Sequence, residues 1–178
     1  KSQLAMAIRS ERIDHVTADF LKRNPDGTVL NLGAGLDTRF FRLREEQGKA
    51  IEKEKSKGKK KRKIKKWVDV DMPEVIALRQ RLLPVQKGCL YLPYDVRENG
   101  WLEELTAERA AGYGSEIDVE NPVLVVAEGL LMYLKKAQVQ NLFQAISQKF
   151  PRGEAVLDVI GKEMAAHTER HDSVSKTE

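Results

Sequence analysis

Leu4, Ile8, Ile13, Val16 and Phe20 recur at helical spacing and predict an amphipathic helix over residues 3–22. Asn24-Pro25-Asp26-Gly27 breaks it. The apolar period then shortens. Thr28-Val29-Leu30-Asn31-Leu32 is brief, β-branched and apolar, the pattern of a buried strand, and it runs straight into Gly33-Ala34-Gly35. Asp37 or Thr38 can cap a short helix through Leu43. Trp67–Val70 predicts a second strand ending in Asp71, and Pro73 suits the first position of a helix reaching Leu83 before Pro84 stops it. Cys89–Leu92 reads as a third strand ending near Pro93-Tyr94-Asp95, and a short helix follows around Trp101–Arg109. Val123–Ala127 is the fourth strand and the clearest. Val139, Leu142, Phe143, Ile146 and Phe150 mark a helix over 135–149, and Pro151-Arg152-Gly153 turns into a fifth strand, Ala155–Ile160.

Strand and helix alternate five times, which predicts an α/β fold: a doubly wound, mostly parallel sheet with helices on both faces. The 178 residues then form a single domain, 1–178, with a polar tail over 161–178. In such sheets ligands bind beyond the carboxyl ends of the strands, near the point where strand order reverses. The polar residues at those ends are therefore the candidates for chemistry.

Charge changes the picture once it is located. The chain carries 31 Lys+Arg and 27 Asp+Glu, net +4, with a sequence pI near 9.1. Residues 49–66 alone hold eleven cationic side chains and two glutamates, a local excess of +9. The rest of the chain then has 20 cations and 25 acids and is mildly acidic. The Lys-rich stretch lacks apolar periodicity and reads as an inserted, solvated loop. No aromatic residue interrupts it, so base stacking has no support and nucleic acid is not an expected partner.

A hydrophobic fraction of 41% suffices for a core in a chain of this length. One cysteine, Cys89, excludes an internal disulfide framework and a cysteine-based zinc site. No apolar run approaches the ~20 residues that span a bilayer, and no secretory leader opens the chain. The expected location is cytoplasmic, with no membrane partner. A start at Lys1 without Met points to a fragment.

The strand ends form a consistent set. Gly33-Ala34-Gly35 lacks Cβ bulk where backbone N–H groups and a helix N-terminus can approach a ligand. Thr38 stands where a dinucleotide fingerprint needs Gly or Ala, which argues against a pyrophosphate-binding dehydrogenase. Asp69 and Asp71 share one face of the second strand. Asp71, nearer the mouth, can accept from both hydroxyls of a ribose, or cap the helix begun by Pro73. Asp95 ends the third strand, where a carboxylate can accept from an exocyclic amine. Glu128 follows five apolar residues directly, so a cation must offset its desolvation: a ligand ammonium, or a protein Arg or Lys. Tyr133, just beyond, can touch an acceptor or simply pack. His167 and His171, four apart in the polar tail, bring no third ligand, and no metal is expected.

Three longer motifs carry a resemblance. Val29-Leu30-Asn31-Leu32-Gly33-Ala34-Gly35-Leu36-Asp37-Thr38-Arg39, Trp67-Val68-Asp69-Val70-Asp71-Met72-Pro73-Glu74-Val75 and Ala127-Glu128-Gly129-Leu130-Leu131-Met132-Tyr133-Leu134 occur in order. They resemble the leucine carboxyl methyltransferase family of S-adenosylmethionine-dependent methyltransferases, which also holds tetracenomycin-type polyketide O-methyltransferases. Arg9-Ser10-Glu11-Arg12-Ile13-Asp14 resembles the family's N-terminal motif, so the likeness runs over residues 4–160.

The resemblance implies a Rossmann-like class I methyltransferase fold, truncated here after the fifth strand, and S-adenosyl-L-methionine as cofactor. It implies that Gly33 and Gly35 line the methionine moiety, that Asp71 holds the ribose, and that Asp95 and the Val96 backbone meet the adenine. Glu128 would lie near the amino group and Arg9 at the carboxylate, with Arg12 the runner-up for Arg9. The implied reaction is methyl transfer to a hydroxyl or carboxylate of a small molecule, polyketide-like, or to a protein C-terminus. No residue stands out as a general base. Two rival readings share the architecture: a nicotinamide- or nucleotide-binding oxidoreductase, and a non-catalytic module whose Lys-rich arm binds anionic partners.

Overall fold

A computed structural model describes residues 2–46, 66–84, 88–98, 100–106, 117–159 and 161. The expected Lys-rich loop, apart from Lys66, lies outside the described residues, as do Arg109, His167 and His171.

Five strands, β1 (Thr28–Leu32), β2 (Lys66–Asp71), β3 (Cys89–Pro93), β4 (Val123–Ala127) and β5 (Gly153–Leu157), form one sheet in the order β3-β2-β1-β4-β5. Every pairing is parallel. Strand order reverses between β1 and β4. The helices are α1 (Ser2–Arg23), α2 (39–46), α3 (Pro73–Leu82), α4 (Gly100–Thr106) and α5 (Lys136–Lys149), with a 3-10 turn at Leu131–Tyr133.

Alternation along each strand divides the core into two layers. Leu30, Leu32, Val68, Val70, Val123 and Val125 face Trp101 and Leu105 of α4 and Leu142 and Ile146 of α5. Val29, Trp67, Leu124 and Val126 face Ile13 and Phe20 of α1, Phe40 of α2 and Ile76 of α3. Helices thus cover both faces, as the alternation of elements predicts. Each fully buried Val, Leu or Phe stabilises this arrangement by about 1.5–3 kcal/mol.

Two expectations are corrected. Ile13 and Phe20 are buried, but Leu4, Ile8 and Val16 are exposed, and α1 packs through Ile13, Thr17, Phe20 and Leu21 instead. A five-residue step from Ile8 to Ile13 turns about 140° around a helix, so the two cannot share a stripe. The fifth strand begins at Gly153 and ends at Leu157 rather than spanning Ala155–Ile160. Register sets its start, because Gly153 pairs with Val123 immediately after the Pro151-Arg152 turn. Its end is set by its partner, because Leu157 pairs with Ala127, the last residue of β4. Among the described residues β5 is an edge strand, and most of it is exposed.

Candidate functional site

The carboxyl ends of all five strands converge on one side of the sheet. Gly33 N–H donates to the Val70 carbonyl (2.9 Å), which brings the turn after β1 against the end of β2. Tyr94 N–H donates to the Asp71 carbonyl (2.9 Å), joining β3 to the same edge. Gly129 N–H donates to Asp158 Oδ1 (2.6 Å), tying the end of β4 to the end of β5.

The turn's geometry requires its glycines. Gly33 and Gly35 have φ of +63° and +48°, in the region where a side chain is strained. A Cβ at Gly33 would stand 3.0 Å from Leu130 Cδ1, whereas one at Gly35 would meet nothing within 4 Å. The N–H groups of the turn are already committed, contrary to the expectation that they reach a ligand. Gly33 and Ala34 donate to the Val70 carbonyl and Gly35 donates to Asp71 Oδ2 (2.7 Å). At Gly35 the turn therefore presents open, side-chain-free surface rather than a donor.

Asp71 accepts from Gly35 N–H on Oδ2 and from Met72 N–H on Oδ1 (2.7 Å). Met72 is the N-cap of α3 and makes no side-chain cap bond, so the alternative role of Asp71 as the helix cap is not taken up. A carboxylate oxygen has two lone pairs, and among the described residues each oxygen of half-buried Asp71 takes one donor. Asp69 shares its face but is fully buried, bonded by Asn31 Nδ2 (2.9 Å), Trp67 Nε1 (2.8 Å) and Arg79 Nε (3.0 Å).

Asp95 lies just past β3, where Arg97 donates to both of its oxygens and holds its carboxyl below the usual carboxylate range. The Val96 side chain belongs to the core on the α4 side. Tyr133 is 47% exposed in the 3-10 turn beyond β4, so it is not the packing residue its helical position allows.

Glu128 closes the site on the β4 side. Arg9 Nε donates to its Oε1 (2.9 Å), and fully buried Arg39 donates through Nη2 to its Oε2. Protein cations therefore offset its desolvation. Arg9 also donates from Nη1 to Asp158 Oδ2 (2.8 Å) and leaves Nη2 near Gly129. Arg12 is exposed, whereas Arg9 reaches Glu128 and Asp158 at the strand ends.

Three participants were not singled out in the sequence. Arg39 bonds Asp14 Oδ1 (2.6 Å) and Asp37 Oδ2 (2.7 Å) besides Glu128, joining α1, the β1 turn and β4. Arg42 forks onto Asp14 (2.8 and 2.9 Å), and that hydrogen bonding raises its pKa. Asp158 is the third. Asp37 accepts from Arg39 N–H (2.9 Å) at the start of α2, and burial still pushes its carboxyl up from 3.8 despite Arg39 and Arg42. A cleft of about 310 Å³ between α1 and α2, lined by Ser10, Asp14 and Arg42, backs onto this network.

A parallel sheet with a glycine turn after β1 and carboxylates at the carboxyl ends of β2, β3 and β4 defines an α/β protein of the doubly wound, Rossmann-like class. Two solved structures share the fold at 18% identity. One, from Thermobifida fusca and provisionally assigned as a methyltransferase, has a TM-score of 0.64 over 96% of this chain and 59% of its own. The other, a DUF574 family protein from Streptomyces avermitilis, has a TM-score of 0.61 over 93% and 59%. Residues 2–147 match the leucine carboxyl methyltransferase family, and the chain belongs to it. Tetracenomycin polyketide synthesis O-methyltransferase TcmP of Streptomyces glaucescens is 30% identical over 90% of this chain and 49% of its own length. Leucine carboxyl methyltransferase 1 of Debaryomyces hansenii is 26% identical over 77% of this chain and 40% of its own. The chain spans about half, or less, of the length of these curated relatives.

Proposed function

We propose that the chain supplies the cofactor-binding part of an S-adenosylmethionine-dependent O-methyltransferase. Its acceptor is a hydroxyl or carboxylate of a small molecule, or a protein C-terminal carboxylate. The observation that carries this reading is the pairing, at one sheet edge, of a diol-type acceptor with a zwitterion-type site. Among the described residues Asp71 takes one donor on each oxygen, beside the open surface of Gly35, while Arg9 and Glu128 stand together across the β1 turn. A ribose suits the first, and an amino-acid moiety suits the second.

When bound, the cofactor supplies an already activated sulfonium methyl group. The residues of this chain bind and orient. Asp71 accepts from the ribose hydroxyls, Asp95 and the Val96 backbone meet the adenine, Gly33 and Gly35 admit the methionine chain, and Arg9 and Glu128 meet its carboxylate and ammonium. Tyr133 contacts the acceptor from the 3-10 turn. Holding the acceptor oxygen in line lowers the barrier by as much as ~7–11 kcal/mol in favourable cases. A carboxylate acceptor needs no general base.

Relatives named as a polyketide-synthesis O-methyltransferase and a leucine carboxyl methyltransferase support this reaction class. The test is calorimetry with S-adenosylmethionine, S-adenosylhomocysteine and NAD. Binding of the two adenosyl compounds without NAD is expected. NAD binding with no response to either sulfur compound would sink the proposal in favour of an oxidoreductase.

A further inference from the structure

The buried pair Asp69–Arg79 lies behind the site and touches none of the groups assigned to ligand binding except one backbone atom. Arg79, on α3, is fully buried. It donates from Nε to Asp69 Oδ2 (3.0 Å), with Nη2 2.7 Å from the same oxygen, and from Nη1 to the Gly35 carbonyl (3.0 Å). Its guanidinium also lies 5.8 Å from the Tyr91 ring centroid. Asp69 in turn receives Asn31, Trp67 and, at 3.4 Å, the Cys89 thiol. The position of Arg79 is therefore determined from β1, β2 and β3 at once.

Stability does not account for the pair. A buried ion pair is commonly no better than apolar residues of the same volume, because desolvation offsets the attraction. What an apolar pair cannot do is hold the Gly35 carbonyl. Both polar groups of Gly35 are held: its N–H by Asp71 Oδ2 and its C=O by Arg79 Nη1. Glycine at φ +48° is otherwise the most permissive backbone in the turn. The two groups lie on the peptide planes either side of the Gly35 Cα. Releasing the carbonyl frees the plane that follows, and with no Cβ to restrict φ and ψ the Cα can shift and draw the N–H away from Asp71, whose carboxylate loses its orientation.

We propose that Arg79 is a positioning residue for the cofactor site: anchored by Asp69, it holds the carbonyl of Gly35 and so pins the backbone at the Gly35 Cα, whose N–H orients the carboxylate of Asp71. The ligand named here rests on the function proposed above; the clamp on Gly35 does not.

Arg79→Met alone strands Asp69 as an unpaired buried charge, so the informative protein is the double variant Asp69→Asn/Arg79→Met. It keeps an acceptor for Asn31 and Trp67, and removes the charge pair and the Gly35 contact together with the weaker contacts to the Cys89 thiol and the Tyr91 ring. Two measurements are made on wild type and variant: calorimetry with S-adenosylhomocysteine, and amide exchange at Gly35 without ligand. The expected result is a Kd raised about tenfold or more, the scale of one lost hydrogen-bonded arrangement, with the melting temperature near that of wild type. Gly35 exchange should accelerate by a similar factor. A purely structural role would lower the melting temperature and leave the affinity of the folded protein unchanged. Equal affinity and equal Gly35 exchange in the double variant would overturn the role of Arg79 while leaving the proposed function intact. Wild-type protein that binds no S-adenosylhomocysteine would overturn the cofactor reading and the part of Arg79 in it.

Discussion

The guanidinium of Arg39 meets Glu128 from the interior of the sheet, on the carboxylate oxygen opposite the one that Arg9 takes. Arg39 has no exposed side-chain surface, whereas Glu128 sits at the mouth of β4. A buried cation shared among Asp14, Asp37 and Glu128 ties α1, the β1 turn and β4 into one unit. Arg39→Met leaves those carboxylates short of a partner, and breaking such a pair costs about 3–5 kcal/mol. In a domain of this size that lowers the melting temperature by roughly 10 °C. Arg23→Ala, which removes a solvent-exposed pair with Glu154, serves as the control and should leave the melting temperature unchanged. Equal melting temperatures for both variants would show that the Arg39 network is screened like a surface pair.

Asp37 gives that network an unusual pH dependence. Burial raises its carboxyl above 3.8 in the folded protein, outweighing the arginines beside it. As pH rises from 3.8 through the folded value, the unfolded chain loses this proton first and the folded protein still holds it. Stability attributable to Asp37 therefore falls with rising pH across that window, the reverse of an ordinary ion-paired Asp. The difference in unfolding free energy between wild type and Asp37→Asn, measured in urea, should shrink from the acid end to the neutral end. A difference that grows with pH would mean that Arg39 and Arg42 outweigh the desolvation.

Asp71 carries the largest share of the ribose reading. Asp71→Ala removes the acceptor for two backbone N–H groups at a half-buried position. Its cost to stability should stay near 1–3 kcal/mol, about that of unsatisfied donors, so the protein remains folded. Affinity for S-adenosylhomocysteine should fall at least about tenfold, since charge-assisted bonds to both hydroxyls go with it. Calorimetry on the folded variant decides the matter, and unchanged affinity removes Asp71 from the site.

Most of the frame was legible because its signals are local. A β-branched run flanked by turn residues names a strand wherever it packs, and Pro73 marks the start of α3 in sequence and structure alike. Helix faces were less legible: Leu4 and Ile8 satisfy a spacing rule yet point away from the sheet. At the strand ends, a carboxylate next to an apolar run singled out Glu128. The same argument applies to Asp158, which interrupts the apolar run of Ala155–Ile160. Arg39 left no such mark. Its burial depends on Asp14, Asp37 and Glu128 meeting from three elements, and only the assembled fold brings them together.

Asp158 supplies the last test. It accepts from Arg9 Nη1 and from Gly129 N–H, so it orients the side chain proposed to meet the cofactor carboxylate and the backbone after Glu128. Arg9 is long and 36% exposed, and a partly exposed arginine without partners samples many rotamers. Two fixed carboxylates, Glu128 and Asp158, remove that freedom before any ligand arrives. Asp158→Asn keeps an oxygen for Gly129 but loses the charge on Arg9, and Asp158→Ala loses both. Affinity for S-adenosylhomocysteine should fall in the order wild type, Asp158→Asn, Asp158→Ala, with the alanine variant weaker by about tenfold. Tighter binding by either variant would show that Asp158 competes with the ligand carboxylate for Arg9 rather than presenting Arg9 to it.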